Sequence, residues 1–167
     1  MEKIKFPVKA MTITALAATV LFVAAALTLC FVFPNKYANE LNTAADEFGL
    51  DRGLVRSVVW AESKFDRKAT SDKGAVGLMQ LMPQTLGSCA AALHIKDPNG
   101  YDPATNLRCG CYYLSLLLEK FDGNEDAALM AYNAGEVNAK KFLDGGDIFP
   151  ETEKYIKNVK LAKKVYR

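Results

Sequence analysis

The chain has 167 residues, of which half are apolar and about a quarter charged, with nine Phe, seven Tyr and one Trp. That composition excludes a disordered tail and permits a proper core, and because the first 35 residues differ in character from the rest, it leaves one folding unit of about 130 residues. Lys3, Lys5 and Lys9 face only Glu2 at the start, so 18 charges of each sign remain downstream. A neutral domain with interspersed charges lacks the basic footprint of a nucleic-acid binder. One histidine, His94, and four cysteines without a C-x-x-C pair provide no ligand set for zinc, so neither a metal nor another cofactor is expected.

Residues 1–9 form a short basic stub. From Ala10 to Phe33 no residue is charged, and at about 1.5 Å per residue this run reaches roughly 36 Å as a helix, enough for a hydrocarbon core of about 30 Å. The rival reading is a cleaved signal peptide ending at Ala24-Ala25-Ala26. Leu27 to Phe33 continues apolar beyond that point, which favours an uncleaved transmembrane anchor over 10–33. A lipid attachment at Cys30 is set aside because Leu29, not a small residue, precedes it. Lysines before the segment place the N-terminus in the cytoplasm and the domain, 37–167, outside a cell membrane crossed once.

Tyr37 to Phe48 alternates at helical spacing and stops at Gly49. Asp51 caps a second helix in which Leu54, Val55, Val58, Val59 and then Glu62 share one stripe. Residues 66–77 read as a loop with room for a short β-hairpin. Pro83 opens a helix to Leu93, and Asp102-Pro103 opens the longest helix of the domain, ending near Phe121. Asn124 caps Glu125 to Ala134, Glu136 to Leu143 is a further short helix, and Pro150 starts a terminal one. The expected fold class is mainly α.

Cys89, Cys109 and Cys111 are an odd three. Cys109 and Cys111 lie about 200° apart around one helix, so only one of them could meet Cys89. Three small buried hydrophobes is the alternative, and a domain of this size is expected to fold without a disulfide.

Glu62 stands out because an acid on a core-facing stripe near a helix C-terminus is disfavoured as an anion by desolvation and by the helix dipole. Both effects raise its pKa toward the value a general acid needs near neutral pH. A solvated glutamate closing its helix is the plainer reading of the same residue.

The surrounding blocks weigh against that plainer reading. One block runs from Glu62-Ser63-Lys64-Phe65 through Ala69-Thr70-Ser71 to Gly74–Thr85 (GAVGLMQLMPQT), and three more follow it in order: Asp102-Pro103 before Asn106 to Leu114 (NLRCGCYYL), Ala131-Tyr132-Asn133-Ala134-Gly135, and Pro150 to Tyr155 (PETEKY). Together they closely resemble the soluble-type, family-1 lytic transglycosylases, and four spaced blocks are far more specific than one motif. The resemblance implies a goose-type, lysozyme-like helical domain acting on peptidoglycan glycan strands, with Glu62 as the sole catalytic carboxylate. It places Ser71, Gln80 and Met82 in the substrate cleft, Tyr132 and Asn133 at the sugar site, and the Tyr155 hydroxyl near the carboxyl. Without it, Ser71 is a loop-capping hydroxyl, Gln80 a surface amide and Met82 a core thioether. Arg67, Leu86 and Leu107 depart from the usual pattern of the family, which touches loop shape and subsite detail.

The implied reaction cleaves the β-1,4 bond between N-acetylmuramic acid and N-acetylglucosamine and leaves a 1,6-anhydro ring. A hydrolytic muramidase of the same fold would need a second carboxylate, for which Asp66 and Asp72 are the candidates. A non-catalytic wall-binding scaffold is the reading from a different class, and retention of Glu62 opposes it.

Overall fold

The computed structural model describes residues 8–166, with side chains from residue 15 onward except at position 30. Of the basic stub expected at 1–9, residues 1–7 lie outside the described residues, as do the side chains at 8–14. The chain divides into two units, 1–34 and 35–167. The first holds α1 (Val8–Val32), a helix of 25 residues. Among the described residues no helix is long and apolar enough to cross a membrane. The anchor expected over 10–33 extends past the part of α1 whose side chains are described.

The second unit is helical: α2 (Ala38–Glu47), α3 (Arg52–Ser63), α4 (Pro83–Ala92), α5 (Pro103–Lys120), α6 (Glu125–Ala134), α7 (Glu136–Leu143) and α8 (Pro150–Val165). Local chemistry fixes most helix starts. Asp51, Asp102 and Asn124 each accept a hydrogen bond from the backbone N–H three residues on, at 2.7, 2.9 and 3.1 Å, which satisfies a donor that the first turn leaves open. Pro83, Pro103 and Pro150 occupy first-turn positions where a missing N–H costs nothing. The expected helix from Tyr37 begins one residue later, because Tyr37 itself adopts a left-handed conformation at φ 56. The hairpin expected in 66–77 is reduced to two isolated bridges, Thr70 with Val76 and Val76 with Leu81.

The apolar stripes decide the packing. α3 buries Leu54, Val55, Val58 and Val59 chiefly against α8, whose inner face carries Tyr155, Ile156, Val159 and Ala162. α5 is the central element, with α2, α4 and α6 all packed on it through Leu107, Leu114 and Leu117. Cys89, Cys109 and Cys111 are free thiols buried in this core, and burial keeps Cys111 protonated with a pKa of about 12.

A loop at 76–81 crosses the middle of this helical frame, and Asn106 of α5 holds it. Its Oδ1 accepts from Met79 N–H at 2.8 Å, and its Nδ2 donates to the Val76 and Gly100 carbonyls at 3.0 and 2.8 Å. Asn106 is fully buried, and the contact is close enough that only glycine fits opposite it. A Cβ on Gly77 would lie 2.1 Å from Gly100 O and 2.4 Å from Asn106 Nδ2, and Gly77 also has φ 78. Replacing Asn106 with Ala strands the Met79 N–H and the Gly100 carbonyl, while the Val76 carbonyl keeps its bond from Leu81 N–H. The expected loss is about 2–4 kcal/mol of unfolding free energy, checked by urea titration of the wild type and Asn106→Ala.

Candidate active site

α3 carries Glu62 beyond its buried stripe, one residue before the helix ends. Lys64 and Phe65 then turn left-handed at φ 53 and 63, and the Lys64 ammonium caps the Trp60 ring 3.1 Å from its centroid. Ser63 donates from Oγ to the Leu78 carbonyl at 2.8 Å, which ties the end of the helix to the crossing loop. From the other side, Tyr132 of α6 donates from Oη to the Met79 carbonyl at 2.8 Å. Residues 78–79 are therefore gripped by α3, α5 and α6 together, and Glu62 is positioned by the same frame.

The Glu62 carboxyl lies at a cleft of about 430 Å³, lined also by Ser71, Gln80, Met82, Tyr132 and Asn133. The cleft thus brings together five of the six residues expected at the substrate. The sixth, Tyr155, is buried behind them on α8. Its hydroxyl makes no hydrogen bond of ordinary length, yet it approaches Glu62 closely enough to favour the carboxylate.

Burial is the dominant influence on Glu62. The residue keeps some contact with solvent, but its carboxyl is crowded by protein, and desolvation lifts its pKa to about 7 against the smaller opposing effect of Tyr155. Burial first, and the neighbouring Glu62 second, hold both Tyr132 and Tyr155 as neutral phenols well above their ordinary range. The site therefore offers one acid that can carry or release a proton near neutrality, flanked by hydroxyl groups that stay protonated.

The loop residues are committed to structure as well as to the cleft. Gln80 sits at φ 47 and donates from Nε2 to the Gly77 and Ala69 carbonyls at 2.8 and 3.2 Å, leaving its Oε1 for a ligand. Ser71 Oγ accepts from Ala75 N–H at 3.0 Å, so its own proton remains available. Met82 is 43% exposed at the start of α4, a cleft-lining thioether and not a core one.

Of the two acids weighed as second carboxylates, only Asp72 lines this cleft. Asp66 borders a separate depression with Lys64, Arg67 and Lys68 and accepts from Lys68 N–H at 2.9 Å. Lys73 and Glu151 also line the cleft, and the sequence did not single them out. Glu151 lies in the first turn of α8, where an acid is expected simply to complement the helix dipole.

The family model for the transglycosylase SLT domain matches residues 40–147, and the chain belongs to that family. It is 32% identical over 144 residues to the membrane-bound lytic murein transglycosylase C of Haemophilus influenzae, covering 79% of this chain and 40% of that protein. With the peptidoglycan transglycosylase gp16 of Escherichia phage T7 it shares 33% identity over 138 residues, 75% of this chain and 10% of the phage protein. Among solved structures, an inactive mutant of lytic transglycosylase Slt from Pseudomonas aeruginosa superposes with a TM-score of 0.75 at 30% identity, covering 80% of this chain and 24% of that one. A 70-kDa soluble lytic transglycosylase in complex with bulgecin A gives 0.76 at 28% identity, covering 83% and 25%. The chain spans well under half the length of each of these relatives.

The pKa of Glu62 makes a stability prediction. An acid with a folded-state pKa raised from 4.5 to about 7 binds its proton more tightly in the folded chain, so its favourable contribution is complete below pH 4.5 and is lost as pH rises through 7. At about 1.4 kcal/mol per unit the loss is of order 3 kcal/mol. Glu62→Gln, which cannot ionise, should therefore gain on the wild type between pH 5 and pH 8 in paired urea titrations. An unchanged difference across that range would show an ordinary, solvated glutamate.

Proposed function

We propose that this protein is a peptidoglycan lytic transglycosylase and that Glu62 serves as both acid and base. The observation that carries the proposal is a single carboxyl with a pKa near 7 at a cleft, in a chain of the SLT family. Neutral Glu62 protonates the glycosidic oxygen between N-acetylmuramic acid and N-acetylglucosamine as that bond breaks. The resulting carboxylate takes the proton from the 6-hydroxyl of the muramic residue, whose oxygen bonds to the anomeric carbon and closes a 1,6-anhydro ring. Glu62 ends protonated and no water is consumed. Ser71, Gln80, Met82, Tyr132 and Asn133 line the sugar path, and Tyr155 steadies the carboxylate between the two proton transfers. The Pseudomonas relative is inactive with one glutamate changed to glutamine, which fits a mechanism with one essential carboxyl.

Asp72 and Glu151 at the same cleft favour one second reading, hydrolysis by a pair of carboxylates. The two are separated by variants and product mass. Glu62→Gln should lower turnover by at least about 10²–10⁴, with Asp66→Asn and Asp72→Asn far milder, and the wild-type product should weigh one water less than a hydrolysed strand. A reducing-end product from the wild type, or near-normal activity in Glu62→Gln, would overturn the proposal.

We also infer that α1 anchors the protein in the cell membrane. The 24 uncharged residues from Ala10 to Phe33 and the lysines ahead of them support this, as does the membrane-bound name of the Haemophilus relative. The catalytic domain then faces the wall. N-terminal sequencing of the protein purified from its host should begin upstream of Ala10; a start beyond Ala26 would show a cleaved leader.

A further inference from the structure

Lys73 is the one cation among the described residues that line the cleft, where it joins three acids, Glu62, Asp72 and Glu151. Nothing in the fold accounts for it: its side chain is exposed, and none of the ion pairs among the described residues includes it. Its backbone, in contrast, is held firmly. The turn Ser71–Gly74 is closed by Gly74 N–H donating to the Ser71 carbonyl at 2.9 Å, and Ser71 N–H donates to the Ala75 carbonyl at 2.9 Å. Ala75 N–H donates in turn to Ser71 Oγ at 3.0 Å. Gly74 supplies the left-handed residue at φ 85 that the turn requires, and Val76, just beyond, bridges to Thr70 and Leu81. The result is an ammonium on a stiff turn at the edge of the substrate cleft, with its charge uncommitted.

A cation placed this way is suited to an anion that arrives with the substrate. The muramic residue carries a 3-O-lactyl arm, which ends either in its own carboxylate on a bare strand or in the carboxylates of an attached peptide. We propose that Lys73 is a specificity-determining residue that receives a carboxylate borne on the lactyl arm. This rests on the peptidoglycan reading above and extends it from the sugar backbone to the substituent. Glu151, which reaches the cleft from α8, disfavours a carboxylate on that side, so the position of Lys73 sets where the arm lies. An arginine would serve in its place, because the requirement is a positive charge with donors; a glutamine would not.

The test uses the full chain in detergent and reads equilibrium binding in the Glu62→Gln background, where strands are held without being cut. Three soluble muramic-acid-containing strands serve as probes: one bare, one bearing peptides, and the peptide-bearing one with its carboxylates converted to amides. Adding Lys73→Gln should weaken binding about three- to fivefold for the strands with carboxylates, the usual range of an exposed ion pair, and leave the amidated strand unchanged. Lys73→Arg should restore the affinity. Loss confined to the bare strand names the lactyl carboxylate as the partner, and loss confined to the peptide-bearing strand names the peptide. An equal loss on the amidated strand, or none on any, overturns the proposal. In the wild-type background Lys73→Gln should raise KM with kcat and the pH profile unmoved; a shift of the profile would instead make Lys73 an electrostatic neighbour of Glu62 and overturn it. Failure of the transglycosylase reading shows separately, in the mass of the wild-type product, and does not alter the binding comparison.

Discussion

The grip of Asn106 on the crossing loop is the constraint on which the site depends. One buried amide uses its carbonyl and both of its N–H groups on three backbone groups, so that none of them, the Met79 N–H and the Gly100 carbonyl above all, is left unpaired in the interior. A loop can lie inside a protein only under that condition. Ser63 and Tyr132 add bonds to the carbonyls of residues 78 and 79, so three helices meet at one dipeptide. Glycine completes the arrangement twice: Gly77 lets the loop reach Asn106, and Gly110 leaves space for Met79, whose sulfur would lie 2.3 Å from an added Cβ. The loop behind the cleft is thus fixed by hydrogen bonds and close packing, although it has no regular secondary structure.

That packing matters to the acid. Glu62 is perturbed mainly by the removal of water, and desolvation holds only while its surroundings cannot relax to admit solvent. The expectation of two causes, burial and the helix end, reduces to burial as the dominant one. The buried Tyr155 hydroxyl works in the opposite direction by favouring the anion, and the proposed double role of giving and taking a proton would benefit from this balance. Too much burial would make the carboxyl a reluctant proton donor, and too much stabilisation of the anion would leave it ionised before the first step and a weak base in the second.

The cleft also distributes charge unevenly. Its acids come from three separate elements, the end of α3, the turn at 71–74 and the first turn of α8, and its single described cation comes from the turn. Each of these residues has an ordinary local reason for its type: an acid at a helix start, a charged pair in an exposed turn. Their meeting at one cleft emerges only from the convergence of those elements, which no local pattern records.

The sequence alone determined the helical frame, because caps, first-turn prolines and 3.6-residue stripes are local signals set within a few residues of each other. Asp51, Asp102 and Asn124 were legible as caps for that reason, and the four ordered blocks carried the family. Glu62 was legible as the candidate acid because a carboxylate that continues an apolar stripe conflicts with its own helix. The tertiary structure decided what depends on distance across the chain. It separated Asp72 from Asp66, two acids that the sequence presented as equals, because the turn at 71–74 folds toward the cleft while Asp66 stays with a basic depression outside it. It brought Glu151 and Lys73 to the cleft from positions that looked like surface. And it gave Asn106 its role, since a polar residue on a helix face reads as solvent-exposed until the loop that it holds is in place.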